Sequence, residues 1–132
     1  MILIPISIGE LIDKITILKI KLIKINDEKK ITNVRKEYNL LSEILKEYNI
    51  TESHELFLNL YNLNLEFWNY HDWQREKWNN LKNNNNIIDI ELYFKNKEEH
   101  ILNDKRAEIK KNINIMFNSE IIEEKQFISY NI

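Results

Sequence analysis

The sequence predicts an all-α fold: an antiparallel bundle of two long αα-hairpins, with short extended segments at the two termini that pair as a small sheet. Three observations predict it. One glycine and one proline in 132 residues leave almost no breakers, which favours long helices over many short strands and turns. Apolar residues recur at alternating three- and four-residue steps along the chain. The periodic stretches are separated by short polar segments of Asn, Asp, Thr and Ser, residue types that start and stop helices. An apolar content of 43% is enough for one packed core, and the length fits a single helical domain spanning 1–132.

Residues 2–6 read as a short extended run. Ser7-Ile8-Gly9-Glu10 reads as a capping box, with the Ser7 hydroxyl taking the Glu10 amide and Glu10 reaching back. Helix 1 is expected over about 8–25, on the seam Ile8, Leu11, Ile15, Leu18, Leu22 and Ile25, with Ile12, Ile20 and Ile23 widening the buried stripe. Asn26-Asp27 is the turn, and Asp27 caps a second helix over about 28–48. Ile31, Val34, Tyr38, Leu41, Leu45 and Tyr48 repeat the heptad steps there, as in a coiled coil. Two such seams joined by a tight turn make an antiparallel hairpin.

Thr51 or Ser53 is the expected cap of helix 3, over about 52–82, with Leu56, Leu60, Leu63, Phe67 and Tyr70 as its seam. Phe57, Tyr61, Trp68, Trp73 and Trp78 spread round the same helix, so it must bury more than one side. The Asn83–Asn86 tract is a loop. Helix 4 is expected over about 89–117, apolar at both ends and polar from Lys95 to Lys111. The alternating stretch 126–132 is expected to pair with residues 2–6.

The 19 basic and 21 acidic residues nearly cancel, which argues against a strongly basic nucleic-acid protein. The lysines of the first hairpin (Lys14, Lys19, Lys21, Lys24, Lys29, Lys30) are diluted by Asp13, Asp27 and Glu28, and read as a solvated face. Absence of cysteine excludes disulfides, Cys-based zinc sites, iron–sulfur clusters and a thiol nucleophile. No stretch is apolar enough to span a membrane, and the opening residues lack a basic region and a cleavage site, so a cytoplasmic protein is expected. Ile, Asn and Lys supply 60 of the 132 residues, a bias of AT-rich codons that points to the genome of a bacterium, phage or other virus rather than to a function.

The polar middle of helix 4 is the first candidate site. Asn103, Arg106, Ala107, Lys110 and Asn114 fall on one face, with Asp104 and Glu108 beside them. One reading is an anion site, in which Arg106 and Lys110 hold a carboxylate or phosphate and Asn103 and Asn114 orient it. The competing and favoured reading pairs Arg106 with a carboxylate across the bundle. A second cluster, Glu66, Trp68, His71, Asp72, Arg75 and Glu76 on helix 3, lacks the Glu-x-x-His pairs of metal-binding bundles and reads as a face laced with ion pairs, so no metal is expected. His54 and His100 stand isolated in the sequence, and no phosphate loop, nucleophile elbow or His-Glu-x-x-His is present, so no cofactor is expected either.

Two segments carry a resemblance. Residues 4–18, IPISIGELIDKITIL, and 103–114, NDKRAEIKKNIN, resemble the signatures of a family of small uncharacterised bacterial and phage helical proteins, a domain of unknown function. Asn33–Glu37 and Glu123–Lys125 are similar to that family as well, so the resemblance covers nearly the whole chain. It implies a helical fold and no activity. Lys19 and His71 stand where the family leads one to expect acids. The charged set Glu10, Asp13, Lys14, Arg35, Asp72, Arg75, Arg106 and Lys110 comes from all four helices, and converging on one buried locus it would form a network costly unless fully paired.

Two functions are expected from different classes. The first is a non-enzymatic scaffold that forms a homodimer through helices 3 and 4 and binds a protein partner. The second is a small helical enzyme or sensor that clamps an anionic metabolite with Arg35, Arg75, Arg106 and Lys110.

Overall fold

A computed structural model describes residues 1–81 and 89–126. Its elements are four helices: α1 (Ile8–Lys24), α2 (Glu28–Glu47), α3 (Glu55–Leu81) and α4 (Ile90–Met116). The all-α bundle read from the sequence is the fold, and no strand occurs among the described residues. The pairing expected between residues 2–6 and 126–132 falls outside the described residues, which end at Gln126.

Helix α1 is the hub. It packs against α2, α3 and α4, α3 packs against α4, and α2 rests on α1 alone. The two hairpins are therefore joined through one helix rather than closed into a four-sided ring. This explains why α1 is apolar round so much of its circumference: Leu11, Ile12, Ile15, Leu18 and Ile20 are all buried. Ile23, expected to widen that stripe, is instead exposed in the last turn of α1. The centre of the core joins Ile12 and Ile15 to Leu45, Phe57, Leu60 and Ile113 from the other three helices.

The caps follow local chemistry. Asp27 accepts from the Lys30 amide and Asp89 from the Leu92 amide, each satisfying a donor of a first turn. Helix α3 starts three residues later than the sequence suggested. Thr51 and Ser53 bond each other through their hydroxyls, and His54 Nδ1 accepts from the Leu56 amide in their place. With a single glycine in the chain, asparagine performs the left-handed turn after a helix. Asn49 follows α2 at φ 58 and Asn118 follows α4 at φ 56.

The helices differ in length. α1 has 17 residues whereas α3 and α4 have 27 each. At ~1.5 Å per residue the second hairpin outreaches α1 by roughly 15 Å. Lys77 ties that arm together by ion pairs with Asp89 and Glu91 of the α4 N-terminus. Trp78, Ile90, Tyr93 and Phe94 on the arm are 58–73% exposed. Of the aromatic residues spread round α3, Phe57 and Phe67 are buried and the remainder are partly covered or exposed.

Candidate functional site in the groove of α1, α3 and α4

The contact between α1 and α4 is built around Gly9. A Cβ at this position would lie 2.6 Å from the Lys110 carbonyl oxygen and 2.9 Å from Asn114 Oδ1, so only glycine lets the two backbones come this close. The close approach satisfies the first turn of α1 with groups from distant sequence. The Gly9 amide donates to Asn114 Oδ1 at 2.6 Å, and the Ile8 amide donates to Ser119 Oγ at 3.1 Å. Ser7 Oγ accepts from the Glu10 amide at 3.0 Å and donates to the Glu123 carboxylate. Glu123 also accepts from Asn114 Nδ2 at 3.4 Å.

The reciprocal half of the expected capping box does not form. Glu10 turns outward to Lys110, 2.5 Å away, with Lys14 at 3.7 Å. Burial alone would raise the Glu10 carboxyl, but its hydrogen bond and charge contact with Lys110, helped by Lys14 and Arg106, outweigh that and hold it below the usual glutamate range. Farther along α1, Asp13 is only 6% exposed. Its carboxylate accepts from Asn64 Nδ2 of α3 at 2.9 Å, and the same amide donates to Thr16 Oγ1 at 2.9 Å.

Above this seam the three helices leave a groove of about 450 Å³. Ile17 and Ile20 of α1 form its floor side, and Phe67 and Trp68 of α3 add aromatic wall. Helix α4 presents Asn96, Glu99, Asn103 and Arg106 along the opposite wall. His71 and Glu99 bridge the helices at 3.1 Å. The Arg106 guanidinium lies over the Phe67 ring, 5.2 Å from its centroid. Among the described residues it makes no hydrogen bond and no ion pair within 4 Å, feeling Glu10 only through longer-range charge.

The favoured expectation for Arg106 is thus corrected. The carboxylate pair across the bundle forms one turn along, at Lys110, because the close approach at Gly9 brings Glu10 to that turn. The other proposed site residues divide among several surfaces. Asn103 and Arg106 line the groove, while Lys110 and Asn114 are consumed by the seam with Glu10 and Gly9. Asp104 pairs with Lys125 of the C-terminal segment. Lys14 is exposed beside Glu10. Arg35 is exposed on α2, Arg75 pairs at 3.6 Å with Asp72 on the outside of α3, and Glu76 is exposed beside them. Since α2 touches only α1, Arg35 has no route to the groove wall formed by α3 and α4.

Lys19 and His71 each face a carboxylate. Lys19 Nζ is 2.7 Å from Glu52 and lies over the rings of Phe57 and Tyr61. Glu52 also accepts from Tyr38 Oη at 2.5 Å. Burial would raise the Glu52 carboxyl, but the bonds from Lys19 and Tyr38 lower it overall; burial and the Glu52 charge together raise the Tyr38 phenol.

The sequence placed Trp68 with His71 in the second cluster, and both line the groove, but it did not single out Asn96, Glu99 or His100 as their partners. A signal was present: Asn96, Glu99, Asn103, Arg106 and Lys110 step by 3, 4, 3 and 4, a heptad seam occupied by polar residues. Among the described residues no group of three or more His, Asp or Glu side chains is placed to hold a metal ion. No described helix is long and apolar enough to cross a membrane. No curated protein and no solved structure gives a match. One family model does match, over residues 2–131, and by that match the chain belongs to a family of unknown function, DUF6165.

Proposed function

We propose that this chain is a non-enzymatic helical interaction module, cytoplasmic in a bacterium or phage, that forms a homodimer through α3 and α4 and offers the assembled surface to a protein partner. One observation carries the reading: the α3–α4 arm outreaches α1 and leaves Trp78, Ile90, Tyr93 and Phe94 more than half exposed at its end. Among the described residues no third helix covers the apolar residues of this two-helix arm, and a second copy laid along it would supply one. Sedimentation velocity at tens of micromolar tests this. A dimer that Phe94→Asp converts to a folded monomer supports the reading, and a wild-type monomer at that concentration refutes it.

A second reading has its own support. The chain would be a sensor or enzyme for an anionic metabolite, held by Arg106 rather than by the four-cation clamp. Lys110 is engaged by Glu10, whereas the Arg106 donors have no partner among the described residues. Thermal stabilisation by acetate, phosphate or larger anions is its measure.

A further inference from the structure

We propose that the groove between α1, α3 and α4 binds a small organic carboxylate with a flat apolar body, its carboxylate held by Arg106 and its body against Trp68 and Ile17. The proposal rests on the second reading above and names its ligand class.

The groove divides into a polar end and an apolar wall. At the polar end the Phe67 ring lies under the Arg106 guanidinium and orients it. A guanidinium fixed by stacking keeps its edge donors free, and that edge matches a carboxylate in a two-point contact. The Asn103 side-chain amide, one turn before Arg106, makes no hydrogen bond among the described residues and supplies a second donor at the same end. Asn64 cannot, because its side-chain amide already donates to Asp13 and Thr16.

Charge selects the anion. Glu99 lies two helical turns before Arg106 on the same wall, roughly 10 Å along the axis, and Glu10 acts on Arg106 from the other side. A dianionic phosphate would be repelled by both carboxylates with one guanidinium to hold it, while a monoanion needs only that guanidinium. The His71–Glu99 pair at the far end can meet a neutral polar substituent of the ligand. A volume of about 450 Å³ suits a small molecule rather than a peptide.

The test is calorimetric titration of the full chain with four probes: acetate, inorganic phosphate, phenylacetate and phenyl phosphate. The expected result is saturable one-to-one binding of phenylacetate, with the other three at least about tenfold weaker. Arg106→Gln should lose about ten- to a hundredfold in affinity, and Arg106→Lys should fall between, having the charge without the planar fork. Chemical-shift mapping on wild-type protein gives a second readout, in which phenylacetate moves the Trp68 indole and the Asn103 side-chain amide. Unchanged affinity in Arg106→Gln, or shifts confined to other surfaces, overturns the proposal. Binding of phosphate or acetate as tight as that of phenylacetate also overturns it, yet leaves the second reading standing. Silence of all four probes removes both.

Discussion

Replacing Gly9 by alanine puts the packing of α1 on α4 to a test of sign. Helix propensity alone favours alanine by roughly 0.5–1 kcal/mol. The structure opposes it. The added Cβ would sit 2.6 Å from the Lys110 carbonyl oxygen, a backbone atom of α4, and 2.9 Å from Asn114 Oδ1. No rotamer change relieves the first contact, so the helices must separate by several tenths of an ångström. Overpacking of this kind costs about 1–3 kcal/mol. Separation also stretches the 2.6 Å bond from the Gly9 amide to the fully buried Asn114, worth about 1 kcal/mol or more. The net expectation is a loss of about 2–3 kcal/mol, which for a chain of this size lowers Tm by on the order of 10 °C. Urea unfolding followed by circular dichroism should show a lower midpoint with an unchanged slope. A variant as stable as the parent, or more stable, would mean that the two backbones do not meet at Gly9.

Two further outcomes follow from the buried polar groups. Asn64→Leu keeps the side-chain volume but leaves the Asp13 carboxylate without its amide donor, and should cost about 2–4 kcal/mol in the same urea assay, with Asp13→Asn restoring part of it. Glu10 and Glu52 have carboxyls lowered in the folded state, so their contribution is complete above the unfolded glutamate range near about pH 4.3 and is lost as pH falls through the lower folded values. Stability should therefore decline on acidification below that range, and Glu10→Gln should flatten the decline.

Much of the fold was legible because each helix writes its seam in side-chain type. The Ile and Leu steps of α1 and α2 and the caps Ser7 and Asp27 mark their elements directly. The hub role of α1 was harder to see. It shows only as surplus isoleucine, and the same surplus made Ile23 look buried when it is not. The start of α3 depended on competition among Thr51, Ser53 and His54 for one amide, which composition does not decide. For the site, the α4 face was legible from spacing, but its partners were not. Gly9 and Glu123 lie more than a hundred residues from one another in sequence, and nothing local ties either to Asn114. Arg35 and Arg75 entered the clamp by charge alone, and α2 has no contact with α3 that could have joined them.

The polar seam of α4 nevertheless changes character along its length, and that change separates structure from function. From Lys110 to Asn114 each polar group on the face has a partner: Glu10 for Lys110, and Gly9 with Glu123 for Asn114. One turn toward the N-terminus, at Arg106 and Asn103, hydrogen-bond partners within the described residues cease although the helix remains packed. A residue kept for stability should cost stability when removed, and a residue kept for a ligand should not. Lys110→Met is expected to lose about 1–2 kcal/mol, because it strands a half-buried Glu10 carboxylate. Arg106→Met, with its stem and the Phe67 contact largely replaced, is expected to change stability by less than about 0.5 kcal/mol or to raise it. Equal losses at the two positions, measured side by side in urea, would make Arg106 one more member of the structural seam and leave the groove without its anchor.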